Sequence, residues 1–179
     1  MTDVRTGRAN AALLIRDAVL PADLADIRRL WLEYLTWGND EMQARHGVHP
    51  HSPREAVDED IRSISKFQPP EGRLVVATID GRVRGVGSLR TIGASVAEVK
   101  RMYVDPAARG CGAGRAILDA LVAAARKAGH RTVRLDSPDF MTDAHALYRR
   151  AGFTACEPYA ESEIPESFRP YLRFMELTL

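Results

Sequence analysis

The sequence predicts an α/β (α+β) domain built on a mixed sheet, and three observations carry that expectation. In the first third of the chain, Leu24, Ile27, Leu30, Trp31 and Tyr34 recur at helical spacing. β-rich runs follow, joined at Asp80-Gly81 by a two-residue hairpin signal. Beyond them, strand-like and helix-like segments alternate, starting with a charged strand, a glycine-rich turn and a long amphipathic pattern. Two helices, a meander, a strand–helix–strand–helix run and two last strands make one domain with a sheet of mixed direction.

Met1 to Asn10 is polar and is expected to form a flexible N-terminus ahead of a domain spanning residues 11–179. Leu13 to Leu20 reads as the first strand. Pro21-Ala22-Asp23 opens a helix that Trp37-Gly38-Asn39-Asp40 is expected to end or bend. Gly47 to Pro53 carries two prolines and reads as a loop. Ser52 then caps a second helix, with Pro53 at its first position and Glu55 completing a capping box. That helix should run to about Lys66, where Pro69-Pro70-Glu71-Gly72 breaks the pattern. Leu74 to Ile79, Val83 to Thr91 and Val96 to Val104 form the meander. A loop from Asp105 to Ala113 leads into a helix from Gly114 to Ala128. One face of it carries Ile117, Leu118, Leu121, Val122 and Ala125, and Gly129 stops it. Val133 to Asp136 is a short strand, and Thr142 to Arg150 is a helix ended by Gly152. Strands near Phe153 to Cys156 and Leu172 to Leu177 close the chain.

Composition narrows the function. The formal net charge of +1 gives no strong field toward a nucleic acid or a membrane. No apolar run is long enough to span a bilayer, and Ala11 to Ile15 is too short for a signal peptide. Cys111 and Cys156 lack metal-ligand spacing and read as reduced thiols of a cytoplasmic protein. His46, His49 and His51 share a loop, but no carboxylate or cysteine completes a ligand set, so no metal is expected.

The strongest signal is the turn at Gly110, Gly112 and Gly114, where a helix begins. Glycines let a ligand approach the backbone, and a helix start offers unpaired N–H groups and partial positive charge. With Arg109 and Arg115 on either side, this is a site for a pyrophosphate. A purely structural turn is the bland alternative. A second is the Gly-x-Gly-x-Gly turn of S-adenosylmethionine enzymes, with Asp136 placed as a ribose-binding acid. Against it, Pro106-Ala107-Ala108-Arg109 separates the glycines from the strand. Glu98-Val99-Lys100-Arg101-Met102-Tyr103-Val104 is also too charged for a strand buried on both faces. Too little chain follows for a doubly wound sheet, and no Walker A sequence is present.

Two segments together resemble the GNAT acyltransferase family. Met102-Tyr103-Val104-Asp105-Pro106 followed by Arg109-Gly110-Cys111-Gly112-Ala113-Gly114-Arg115-Ala116 resembles its acetyl-CoA motif, Arg/Gln-x-x-Gly-x-Gly/Ala. Ala144-His145-Ala146-Leu147-Tyr148-Arg149-Arg150-Ala151-Gly152-Phe153 resembles its Ala-x-x-Leu-Tyr helix. The resemblance covers Leu13 to Leu179. One position departs: seven residues before Tyr148, where the family often has Asn, stands Met141.

The resemblance implies a mostly antiparallel sheet flanked by helices, and direct transfer of an acetyl group from acetyl-CoA to an amine. It implies that the backbone of Met102, Tyr103 and Val104 pairs with the pantetheine arm. The pyrophosphate would fall to Arg109, Gly110, Cys111, Gly112, Ala113, Gly114 and Arg115. Tyr148 would protonate the leaving thiolate. Glu98 would be the base, through water, with Asp136 the other carboxylate near the cleft. Cys111 is incidental on this reading, and His145 reads as solvent-facing. Tyr34, Trp37, Tyr159 and Phe168 lie in elements that border the acceptor. The expected partners are acetyl-CoA and an amine acceptor, with a homodimer left open. The competing function classes are an S-adenosylmethionine-dependent methyltransferase and a non-catalytic acyl-CoA-binding module.

Overall fold

The computed structural model describes residues 12–50 and 52–179. The expected flexible N-terminus and His51 lie outside the described residues. Seven strands form one sheet: β1 (Leu13–Asp17), β2 (Gly72–Ile79), β3 (Arg82–Gly93), β4 (Val96–Val104), β5 (Thr132–Pro138), β6 (Thr154–Ala155) and β7 (Leu172–Thr178). Their order is β1-β2-β3-β4-β5-β7-β6. Every neighbouring pair is antiparallel except β4 and β5. Helices α1 (Leu24–His46) and α2 (Pro53–Arg62) cover one face, and α3 (Ala113–Lys127) and α4 (Thr142–Arg150) the other.

The core is therefore double. On the α3 side, Ile117, Leu118, Leu121 and Ala125 pack against Val75, Leu89, Val99, Val133 and Leu135. α3 lies so close that a side chain at Gly87 on β3 would collide with Ile117. On the α1 side, Ile27, Leu30 and Trp31 meet Val76, Val86 and Phe67. The hairpin forms as expected, with Asp80 and Gly81 at φ 50° and 76°.

Several boundaries differ from the sequence expectation, and β1 ends at Asp17, three residues short of Leu20. α1 does not stop at Trp37–Asp40 but runs through Gly38 to His46. One helical glycine costs only about 1 kcal/mol, and burying Met42 on the last turns offsets it. α2 ends at Arg62, four residues early. There the Ser63 hydroxyl donates to Glu59 O (2.9 Å), and the chain tightens into a 3₁₀ turn over Ile64–Phe67. That turn seats Phe67 edge-on against Trp31, ring centroids 5.9 Å apart. β5 continues two residues past Asp136, to Pro138. Ser52 caps α2 as expected, accepting from Glu55 N at 3.4 Å.

Candidate active site

The site follows from how β4 and β5 part. They pair only where Val96–Glu98 faces Thr132–Arg134. Farther along β4 the register explains the divergence. Val86 faces Tyr103 and Ser88 faces Lys100, so Gly87 alone opposes both Arg101 and Met102. This is a β-bulge, with Arg101 at φ 52°. A bulge twists and re-aims its strand, which carries Val99–Val104 away from Leu135–Pro138. The gap is a cleft of about 470 Å³, floored by these two strand ends. The glycine turn and the start of α4 line it, as do Tyr34, Trp37 and Phe140.

At the turn, the backbone dominates. Gly110 and Gly112 take φ 85° and 86°, a conformation strained for any residue with a Cβ, and a Cβ on either would point into open space. Gly112 is the N-cap of α3 and has no side-chain cap. None of the N–H groups of residues 110–115 is hydrogen-bonded to a described residue, and the first helical bond to this turn comes from Ala116 N to Gly112 O. Six successive free N–H groups at a helix start fit a pyrophosphate. The arginines stand back. Arg115 pairs with Asp119 at 2.9 Å, and Arg109 donates to Val104 O at 3.3 Å while lying over the Tyr103 ring. Cys111 is exposed and its thiol donates to Ala108 O. Met141 lines the cleft beside the start of α4.

Tyr148 projects from α4 into the cleft and is 6% exposed. Its ring meets Phe153 at 6.0 Å. Burial, then the nearby Tyr34 and Asp136, pushes its pKa well above the usual phenol value. His145, expected to face solvent, is instead buried, its Nε2 3.0 Å from Ser137 Oγ. The reason is α4's amphipathicity: His145 and Tyr148 are three apart and share its inner face.

The two carboxylates have different surroundings. Asp136 lines the cleft. Glu98 is 0% exposed, behind that lining, and both its oxygens are engaged. Tyr159 OH donates to Oε1 at 2.6 Å, and Arg90 pairs with Oε2 at 2.6 Å. Burial raises the Glu98 pKa against the opposing pull of Lys100 and Arg90. Lys100 Nζ lies 3.1 Å from Asp136 Oδ2 and 3.8 Å from Glu98 Oε1. Arg90 continues to Glu163 at 2.5 Å. Lys66 joins Glu163 (3.4 Å) to Asp60 (3.2 Å), and Asp60 meets Arg101 at 2.6 Å. A run of alternating charges thus starts at Asp136 and returns to the cleft at Arg101.

Residues 25–153 match the family model described as acetyltransferase (GNAT) family. The chain belongs to that family. It is 30% identical over 149 residues to an uncharacterized N-acetyltransferase of Schizosaccharomyces pombe, covering 82% of this chain and 85% of the relative. It is 35% identical over 122 residues to an IAA acetyltransferase of Azospirillum brasilense, covering 67% of this chain and 74% of the relative. An acetyltransferase of Salmonella typhimurium, solved with its cofactor acetyl-CoA, matches with a TM-score of 0.69 at 21% identity, over 94% of this chain and 95% of that one. The protein is a GNAT acyltransferase, and its sheet is the mostly antiparallel one that the motifs imply.

In this GNAT chain the glycine turn, Met102–Val104, Asp136 and Tyr148 all border one cleft. Of the four aromatic residues expected near the acceptor, Tyr34 and Trp37 line it. Tyr159 and Phe168 instead pack with Leu172 and Phe174. His46 is the last residue of α1, its Nε2 3.0 Å from Asp139 and its ring stacked on Tyr171. Sequence reasoning missed Arg90 and Tyr159 as partners of Glu98, and it gave Lys100 no role at the site. One signal was available for Lys100: residues two apart on a strand share a face.

Proposed function

We propose that the protein, through an acyltransferase domain of residues 11–179, moves the acetyl group of acetyl-CoA directly to the amine of a small acceptor. The observation that carries this reading is the single cleft between β4 and β5, with free N–H groups at one end and Tyr148 and Asp136 inside it. The residues present fit the cofactor. The turn offers donors to a pyrophosphate, and from Val99 onward β4 has no strand partner on its β5 side, so the arm can pair there. Acetyl-CoA supplies the thioester, whose carbonyl carbon is attacked and whose sulfur leaves.

The chain's own residues manage two protons. Asp136, at the cleft lining, takes one from the incoming ammonium, so that a free amine attacks. Glu98 stands behind Asp136 and shares the Lys100 ammonium with it. A backbone N–H near Met102 polarises the carbonyl. Tyr148 stays protonated because burial raises its pKa, and it donates to the departing sulfur. The attacking nitrogen's second proton restores the phenol. Tyr34, Trp37 and Phe140 in the cleft lining favour an acceptor with an apolar or aromatic body. We place the reaction in the cytoplasm, in keeping with the free thiols of Cys111 and Cys156.

Release of free CoA across a panel of amines tests the reading. Small amines with apolar bodies should turn over faster than peptide N-termini. Turnover of peptides with no free amine accepted would overturn the acceptor assignment. Calorimetric binding of S-adenosylmethionine but not acetyl-CoA would overturn the cofactor.

A further inference from the structure

We propose that Lys100 is the positioning residue of the proton-accepting step, a cation that Asp136 shares with Glu98 and yields when the acceptor's ammonium arrives. The inference rests on Asp136 being the group that takes the acceptor's proton. Its basis is a cluster of three buried charges on two strands. Asp136 and Glu98 lie on β5 and β4 on the same side of the sheet. Lys100 is 7% exposed, and its Nζ reaches Asp136 at 3.1 Å and Glu98 at 3.8 Å. Among the described residues it alone pairs with both carboxylates.

Two buried carboxylates this close cannot both stay ionised without a cation between them. Arg90, which also pairs with Glu163, is the second cation on Glu98. Arg101 borders the same cleft, paired with Asp60, and Glu163 lies beyond Arg90; the other neighbours are neutral groups. Tyr34 on α1 and Tyr148 on α4 face Asp136, and the Ser162 hydroxyl donates to it at 3.4 Å. Tyr159 caps Glu98. An ammonium entering the cleft meets Asp136 and competes with Lys100 for it. Lys100 then has somewhere to go: the 3.8 Å contact with Glu98 shortens as the 3.1 Å contact with Asp136 opens. The acceptor's N–H bond breaks and an O–H bond forms on Asp136, while Lys100 keeps its own protons. The buried Glu98, engaged by Tyr159 and Arg90, is the anchor that receives Lys100.

The test is a set of pH–rate profiles with the acceptor amine found in the screen, with acetyl-CoA affinity measured in parallel. Lys100→Met should lower kcat/KM at neutral pH by roughly tenfold or more and move the acid limb of the profile to higher pH. Its acetyl-CoA affinity should match the wild type. Lys100→Arg keeps the charge and should keep the limb in place. Glu98→Gln added to Lys100→Met removes the second anion and should bring the limb back toward wild type. Loss by the same factor at every pH, or a double variant no better than Lys100→Met, would assign Lys100 a packing role and overturn the proposal. Asp136→Asn separates the two readings. If it turns over like wild type, Asp136 is not the base and the Lys100 proposal falls with it. If it loses turnover and regains it in alkali while Lys100→Met leaves the limb unmoved, the base stands and Lys100 alone is misassigned.

Discussion

At one end of the cleft the binding groups are the backbone N–H groups of residues 110–115, and the nearby Arg109 and Arg115 are turned onto Val104 and Asp119. At the other end the groups are buried side chains, with Asp136, Lys100, Glu98 and Arg90 each held by the next. The first end is local. A helix start and its glycines lie in one short stretch, and little else needs to fold for their geometry to exist. The second end needs the whole sheet, because its pairs join β3, β4, β5 and the loop before β7. A cofactor handle can be built from a contiguous segment, whereas a proton-managing chamber needs residues from across the fold, and each one there supports its neighbours.

That contrast predicts where substitutions hurt stability and where they hurt chemistry. The largest effect should come from Arg90→Met, which strips Glu98 of a partner at a site 0% exposed. Unfolding free energy measured in urea should fall by about 3 kcal/mol. A loss under about 1 kcal/mol would mean that Lys100 and Tyr159 alone satisfy Glu98. Next is Tyr148→Phe, which keeps the ring against Phe153 and removes the hydroxyl. Turnover should drop roughly a hundredfold with fold and acetyl-CoA affinity retained. An unchanged rate would mean that the thiolate leaves without help from this residue.

The smallest effect concerns His145, between the two ends. Burial, then Arg149 and Arg173, lowers its pKa below the ordinary 6.5. As pH falls through about 6.5 the unfolded chain binds a proton that the folded one refuses, so stability drops on the acid side and is unaffected above it. His145→Gln should flatten that part of the acid loss, by less than about 1 kcal/mol. Denaturation midpoints from pH 5 to 7.5 would show it. Parallel curves for the two proteins would refute it.

The same contrast explains what could be read from the sequence. The glycine turn, the β4 strand, the hairpin and the Tyr148 helix were legible because each is a contiguous pattern, and β4 and α4 fall on their predicted bounds. α1 does not end at Gly38, because a local breaker is outweighed by the burial of Met42 farther along. Asp136 and Glu98 could both be named, but the resemblance ranks Glu98 first as the base, whereas Asp136 is the one that lines the cleft. What separates them is that Glu98 meets Arg90 on β3 and Tyr159 sixty-one residues away, and no spacing rule brings those together. The bulge that opens the cleft was equally hidden, since it is a mismatch between two strands and not a property of either alone.

The division of labour along the cleft is tested most directly by measuring two variants in two assays. Gly112→Leu puts a side chain where a pyrophosphate would approach, in open space and at φ 86°. Asp136→Asn removes a charge at the other end. Calorimetry with acetyl-CoA and kcat/KM for the amine should separate cleanly. Gly112→Leu should weaken acetyl-CoA by roughly tenfold or more. Asp136→Asn should bind acetyl-CoA as the wild type does, with amine turnover lost at neutral pH and partly regained in alkali. An Asp136→Asn protein that loses acetyl-CoA as badly as Gly112→Leu would contradict the account, for the two ends would then be one site.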